Sequence, residues 1–358
     1  MEPFLGERFG NPSSAHRWGR EARAALEQAR ERVAAVLGAQ PAEIVFTGAG
    51  TEADNLAVLG VWRACGRPAA PVACSAIEHK AVLLAAKAAH GQGAQLVLLA
   101  VDETGRVDTD LLDEVIALRP AVVSVMWGNN EVGTVQPVAA LAERCRGAGV
   151  PFHTDAVQAF GKVRVRVDEV DCDLLALSAH KFGGPRGIGV LYVRDGTRIE
   201  PMTWGGGQEQ GLRPGTQNVA AAVGFAVAAE LAAAEQEQEA VRLGDLRDAL
   251  EQVLRDRVAG LIVNGGGERL PHILNVSIPG VAQDALIVAL DLAGMAVSVA
   301  SACQSGASEP SHVLAAMGRV LDEGASIRIS LGRTSTAAEV ERAATVIADV
   351  AGRVPALA

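Results

Sequence analysis

Five times within the first 181 residues a short apolar run breaks off into a loop of small or polar residues. Ile44-Val45-Phe46 runs into Thr47-Gly48-Ala49-Gly50-Thr51, and Val72-Ala73-Cys74-Ser75 leads to Ile77-Glu78-His79. Val122 to Trp127 leads to Gly128-Asn129-Asn130-Glu131-Val132-Gly133, and Val150 to His153 leads to Thr154-Asp155-Ala156-Val157-Gln158. Leu174 to Leu177 ends in Ser178-Ala179-His180-Lys181 and a glycine-rich turn. Helical patterns lie between them, at about Ala15 to Leu37, Glu52 to Ala64, Leu83 to His90, Leu111 to Leu118 and Val138 to Arg146. Such alternation predicts an α/β fold with a largely parallel sheet and helices on both faces. Ligands of these sheets bind beyond the carboxyl ends of the strands. Thr51, His79, Asn130, Asp155, Gln158, Ser178, His180 and Lys181 are therefore expected to crowd one rim.

At 358 residues the chain is long enough for two domains. With 49% hydrophobic and 21% charged residues it is globular and not disordered. A net charge of −10 argues against nucleic acid or an anionic membrane as the main partner. The longest apolar run, Val219 to Ala229, is halted by Glu230, so no membrane span is expected, and Met1-Glu2-Pro3-Phe4 does not resemble a signal peptide. The five cysteines, at 65, 74, 145, 172 and 303, form no Cys-x-x-Cys pair. That spacing fits free thiols in a reducing cytoplasm better than a disulfide or zinc framework.

Lysine occurs at only four positions, Lys80, Lys87, Lys162 and Lys181. The first three read as exposed positions. Lys181 sits where an apolar strand stops, so its amine is expected to be partly desolvated and freed for Schiff-base chemistry. The competing reading is an ordinary solvated lysine. The loop Gly48 to Thr51, opening a helix after a strand, suits an anion, and the missing P-loop lysine argues against a nucleoside triphosphate. Taken singly, His79 reads as a helix cap, Asn130 as a turn residue and Asp155 as a helix start. Taken together the residues suit pyridoxal phosphate. Asp155 would face the pyridine nitrogen, His79 the ring, and Gln158 the phenolic oxygen. Gly50, Thr51, Ser178 and His180 would hold the phosphate, and Lys181 the aldehyde.

Farther on, Gly205 to Asn218 is too glycine-rich for a regular element, and a loop of that length is usually functional. A helix from Val219 to about Val258 carries the boundary between a large domain, 1–238, and a small one, 239–358. The small domain reads as a strand at Ile273 to Ile278, a helix at Ala282 to Leu292 and a strand at Ala296 to Val299. Cys303 follows in a loop of small residues that leaves it free to swing, unlike the other four cysteines. Arg328 alternates with apolar neighbours on a strand, so it is either paired with a carboxylate or placed to receive one.

Several of these segments together resemble the NifS/IscS-type cysteine desulfurases, fold-type I pyridoxal-phosphate enzymes of the class V aminotransferase group. They are Phe9 to His16, Glu78 to Val82, Asn129 to Pro137, Thr154 to Gln158, Ser178 to Lys181, Arg213 to Asn218 and Ser301 to Cys303. The resemblance implies a mostly parallel seven-stranded sheet in the large domain and a smaller α/β C-terminal domain. It also implies a homodimer in which Thr216 reaches the partner's cofactor phosphate, with Asn130 and Arg328 holding the substrate carboxylate. L-cysteine would be the substrate. Lys181 and His79 would exchange protons, and Cys303 would take the sulfur as a persulfide for an acceptor such as an iron–sulfur scaffold protein. The rivals are a selenocysteine lyase or another lyase or transaminase of the same fold, and a non-catalytic sulfur-carrier docking protein. Family members usually begin with a strand and loop of the type Tyr-Leu-Asp-x-Ala-Ala-Thr-Thr-Pro, whereas this chain begins at Met1-Glu2-Pro3-Phe4-Leu5. A form lacking that segment is expected to bind the cofactor but to turn over poorly.

Overall fold

Strand and helix propensities act along this chain in short alternating pieces, and the computed structural model describes residues 1–299, 311–321 and 323–354. The chain divides into two compact units. The first comprises Met1–Leu99, Asp108–Trp127 and Gln136–Gln236, and the second Ala100–Val107, Gly128–Val135 and the chain from Glu237 onward. A single cut at 238 therefore misses two short segments from the middle of the chain.

In the first unit the strands are β1 (Ile44–Thr47), β2 (Val72–Ser75), β3 (Leu96–Leu99), β4 (Val122–Ser124), β5 (Phe152–Asp155), β6 (Leu174–Ser178) and β7 (Gly189–Val193). They form one seven-stranded sheet in the order β1-β7-β6-β5-β4-β2-β3. Only β7 runs against its neighbours β1 and β6, so the carboxyl ends of the other six point to one rim. The helices are α1 (Arg17–Leu37), α2 (Gly50–Ala64), α3 (Lys80–His90), α4 (Thr109–Ala117), α5 (Val138–Gly147) and α6 (Val219–Arg257). Gly38 ends α1 in the left-handed region, at φ 74°, where a glycine costs least.

Strand alternation sorts the sheet's side chains between two faces. Val45, Val72, Cys74, Val122, Leu174, Ala176 and Leu191 pack with α2 and α3. Phe46 points the other way and meets Phe225 of α6 edge-on, with ring centroids 6.3 Å apart. Against the reading of an apolar run halted at Glu230, α6 contains a stretch long and apolar enough to cross a membrane by length and composition. In the structure that stretch carries core residues, Phe225 and Ala226 among them.

Near the rim, β4 and β5 depart from the sequence expectation. β4 stops as a regular strand at Ser124, yet Val125 and Trp127 still donate to the carbonyls of His153 and Asp155. β5 starts two residues later than expected, so Asp155 stands on the strand and not in the loop beyond it.

The second unit has a four-stranded antiparallel sheet, ordered β10-β11-β9-β8, of β8 (Ile262–Asn264), β9 (Ile273–Pro279), β10 (Ser298–Val299) and β11 (Gly324–Ser330). Its helices are α7 (Gln283–Leu292), α8 (His312–Ala316) and α9 (Ala337–Ala351). Leu250 and Leu254 of α6 share its core with Leu274, Ile327 and Ile347. A capping box between Thr336 and Glu339 starts α9.

Candidate active site

At the rim of the first sheet, backbone approach is the first constraint. A Cβ on Gly189 of β7 would stand 2.5 Å from the carbonyl carbon of Ala49, and one on Gly50 would stand 2.8 Å from Val157 Cγ2 and 3.3 Å from Ser178 Cβ. Only glycine allows the loops after β1, β5 and β6 to come this close. The first turn of α2 therefore opens beside Ser178, and its N-cap, Ala49, supplies no side-chain bond to the helix. Free N–H groups there, with the Thr51 hydroxyl, suit a phosphate. Ser178 Oγ and His180 Nδ1 are 3.0 Å apart. The His180 imidazole is held below its ordinary pKa by desolvation first and then by the Lys181 and Arg186 charges.

Asp155 ends β5 almost fully buried, and its Oδ1 accepts the Val157 N–H at 2.9 Å. Desolvation raises its pKa, while that bond and the His79 and Lys181 charges oppose the rise. His79 caps α3, with Nδ1 accepting from Ala81 N at 3.1 Å, so the helix-cap reading is correct. Gln158 is half-buried one turn past Asp155. Lys181 ends a single 3-10 turn, Ala179–Lys181, and is exposed. The expected desolvation is not met here, because Phe182 takes the buried place next to it.

Thr216 is exposed in the loop 212–218. That loop is fastened at Arg213, whose Nε donates to Glu52 Oε1 at 2.9 Å, while Glu52 Oε2 accepts from Gly48 N at 2.7 Å. A second anchor is Glu209, which is buried with Arg30 in a two-pronged pair at 2.8 Å for each bond.

Asn130 and Arg328 belong to the second unit. Arg328 Nη1 donates to the Asn130 carbonyl at 2.8 Å and Nη2 to Ser298 Oγ at 3.2 Å. Among the described residues it pairs with no carboxylate, and its buried Nε has no partner. An arginine held by neutral oxygens keeps its charge uncompensated, as a carboxylate receptor requires. Cys303 lies outside the described residues.

Four buried groups near Asp155 escaped the sequence reading as site residues: Asp54, Glu78, Ser124 and His153. Their signal was faint, a carboxylate inside the apolar run Ala53 to Gly60 and a histidine inside a strand. Glu78 Oε1 accepts from Ser75 Oγ at 2.6 Å and from Met126 N at 2.7 Å. Burial nevertheless pushes its pKa from 4.5 up to about 8. A carboxyl so shifted takes up a proton on folding. Its contribution to stability is full below 4.5 and is lost as pH rises to about 8. Glu78→Gln is expected to flatten this part of the stability curve, as melting temperatures on either side of that window will report.

The class V aminotransferase family model matches residues 1–343. The chain is 43% identical to a protein named cysteine desulfurase IscS from Dictyoglomus turgidum over 94% of its own length and 86% of that protein's. Among solved structures, a NifS-like protein superposes with a TM-score of 0.89 at 37% identity, covering 98% of this chain and 94% of that one. Another, titled SspA in complex with cysteine, superposes at 0.78 with 35% identity, covering 92% and 93%. The glycine cradle, the buried carboxylate at the end of β5 and the lysine after β6 thus stand on a fold-type I enzyme, and the chain belongs to the NifS/IscS-type cysteine desulfurases of the class V aminotransferase family.

Proposed function

We infer that the chain removes sulfur from L-cysteine, leaving L-alanine, with Cys303 as the thiol that receives the sulfur. The observation that carries this reading is the buried Asp155 at one rim with the Lys181 amine and the cradle formed by Gly50, Gly189 and Ser178. These groups fit pyridoxal phosphate: a phosphate seat at a helix start, a buried carboxylate and an exposed amine at the same rim. When bound, that cofactor supplies an electron sink for charge developing at the substrate's Cα.

The chain's own residues supply the rest. Thr51, Ser178 and His180 would hold the phosphate, Asp155 would keep a proton on the ring nitrogen, His79 would cover the ring and Gln158 would bond the phenolic oxygen. Lys181 holds the cofactor and then carries the Cα proton. Arg328 and Asn130 orient the substrate carboxylate. The Cys303 thiolate attacks the substrate sulfur, so that an S–S bond forms as the C–S bond breaks and the carbon skeleton leaves as alanine. In a homodimer, Thr216 serves the second subunit's phosphate. A sulfur-acceptor protein then takes the persulfide sulfur, and a cytoplasmic setting belongs to the same reading. The SspA relative, titled as a complex with cysteine, supports the choice of substrate.

The test is mass spectrometry of protein incubated with L-cysteine, with alanine measured in parallel. One persulfide sulfur on the Cys303 peptide and alanine in step with sulfur released is the expected result. In Cys303→Ala the persulfide is expected to vanish while the cofactor stays bound. Undiminished alanine and sulfide release from that variant assigns the chain to lyase chemistry and refutes the reading.

A further inference from the structure

Beneath the rim, the face of the sheet turned toward α2 carries a buried polar chain that the roles above do not use. Asp155 and His153, two apart on β5, share that face, since they pair with Ala176 and Leu174 of β6, which pack with α2. Asp54 comes in from the second turn of α2. Its side chain is 2% exposed and that of His153 is 0% exposed. Asp54 Oδ1 and His153 Nε2 are 3.6 Å apart, and neither atom has a hydrogen-bond partner. On its other side His153 Nδ1 is 2.8 Å from Ser124 Oγ. The Asp54 and Asp155 carboxylates and the His79 ring lie within 4.8 Å of one another.

Two carboxylates this close and this buried do not both keep a negative charge. The surroundings decide which one gives it up. Asp155 has the Val157 N–H and the His79 and Lys181 charges to favour its anion. Asp54 faces Asp155, Glu78 and His153, and burial together with the two carboxylates raises its pKa. His153 is neutral too, since burial lowers its pKa to about 3. A neutral acid beside a neutral imidazole nitrogen satisfies both orphan atoms with one hydrogen bond, after a closure of a few tenths of an ångström. Left unmade, each orphan costs its desolvation in full.

We propose that Asp54 is a positioning residue kept as a neutral carboxylic acid, its O–H directed at His153 Nε2, which leaves Asp155 as the single anion of the pair. His153 then carries its own proton on Nδ1 and donates it to Ser124 Oγ. Asp54 touches neither cofactor nor substrate and acts through the charge it withholds from Asp155. The proposal rests on the reading of Asp155 as the cofactor's nitrogen partner, but the protonation of Asp54 is testable without it.

Infrared spectra of the purified protein at neutral pH are compared between wild type, Asp54→Asn and Asp155→Asn, each with and without carboxyl-labelled aspartate. The expected result is a protonated-carboxyl stretch in wild type that shifts with the label, is absent from Asp54→Asn and persists in Asp155→Asn. No such band, or one that persists in Asp54→Asn, overturns the proposal. Pyridoxal phosphate affinity is the second measurement. Asparagine, neutral and of the same size, is expected to stay within about threefold of wild type, whereas Asp54→Leu loses roughly tenfold or more with the hydrogen bond. A tenfold loss in Asp54→Asn means that a charge was removed and refutes the proposal. If wild type itself takes up no pyridoxal phosphate, the proposed function fails, and the infrared result still decides the state of Asp54.

Discussion

Lys181→Ala is expected to lower L-cysteine turnover by about a thousandfold or more while the protein folds as before. A positioned acid–base group alone is worth roughly 10²–10⁴ in rate, and this lysine also makes the covalent tie to the cofactor. Folding is expected to be spared because Lys181 is exposed at the end of a short turn, whereas its neighbours Ala179 and Phe182 are buried. A further effect is expected at Asp155. With the Lys181 charge gone, one of the influences that hold the Asp155 pKa down disappears, so its pKa is expected to rise. Alanine formation and an unchanged melting temperature check the first two points. Turnover within tenfold of wild type would show that another group carries the proton, and the assignment of Lys181 would fall.

The second large effect concerns stability. Glu209 accepts both Arg30 Nη1 and Nη2 at 2.8 Å and the Phe46 N–H at 2.8 Å, while Arg30 Nη1 also donates to the Ile44 carbonyl at 2.6 Å. Gln217 Nε2 reaches Glu209 Oε1 at 3.3 Å. Glu209 and Gln210 meanwhile hold left-handed backbone angles, φ 47° and 60°, that non-glycine residues adopt at a cost. The pair therefore clamps a strained loop onto β1. Glu209→Ala leaves the buried Arg30 guanidinium with only the half-exposed Glu27, 3.2 Å from its Nε, as a carboxylate partner and is expected to destabilise by about 3 kcal/mol. Replacing both residues, as Arg30→Met with Glu209→Leu, is expected to recover most of that loss, because the cost lies in the unpaired charge. Denaturant unfolding of the single and double variants measures both. A single-variant loss below about 1 kcal/mol would mean that water reaches Arg30 and that the clamp is not dry.

The layered fold was legible because its strands are short and apolar and each is followed by glycine or a polar turn, as at Val72–Ser75 and Leu174–Ser178. β3 escaped notice because Leu96–Leu99 is an edge strand, mostly only half-buried, with no contrast to its flanks. α9 is absent from the sequence reading although its apolar positions Val340, Ala344, Ile347 and Ala351 keep a helical spacing and the Thr336–Glu339 box marks its start. At the site, the residues in loops and strand ends could be named from spacing, since the topology of a parallel sheet gathers them. Asp54 and His153 could not. Their meaning comes from a 3.6 Å approach between a helix and a strand 99 residues apart, which local sequence does not encode. The order of charges along Lys181, Asp155 and Asp54 is likewise a property of depth, and depth is read only from the folded chain.

The chain enters the second unit three times, at Ala100–Val107, at Gly128–Val135 and finally at Glu237. On a ribosome, Gly128–Val135 emerges more than a hundred residues before Glu268 and Asn275, which it bonds. Val135 N waits for the Glu268 carbonyl, and the Glu131 carbonyl waits for Asn275 Nδ2. Asn129 to Val135 can close its own turn, with Asn129 N on the Thr134 carbonyl and Gly133 N on the Asn129 carbonyl, but its bonds to Glu268 and Asn275 wait for the synthesis of most of the protein, a long-range closure of the kind that slows folding. Stop codons placed after Gln236 are expected to yield not an independent first unit but a chain with two orphaned loops, exposed to proteases at Ala100–Val107 and Gly128–Val135. Nascent-chain stability in this protein is thus set by its last third, long after the sheet that carries Asp155 and Lys181 has left the tunnel.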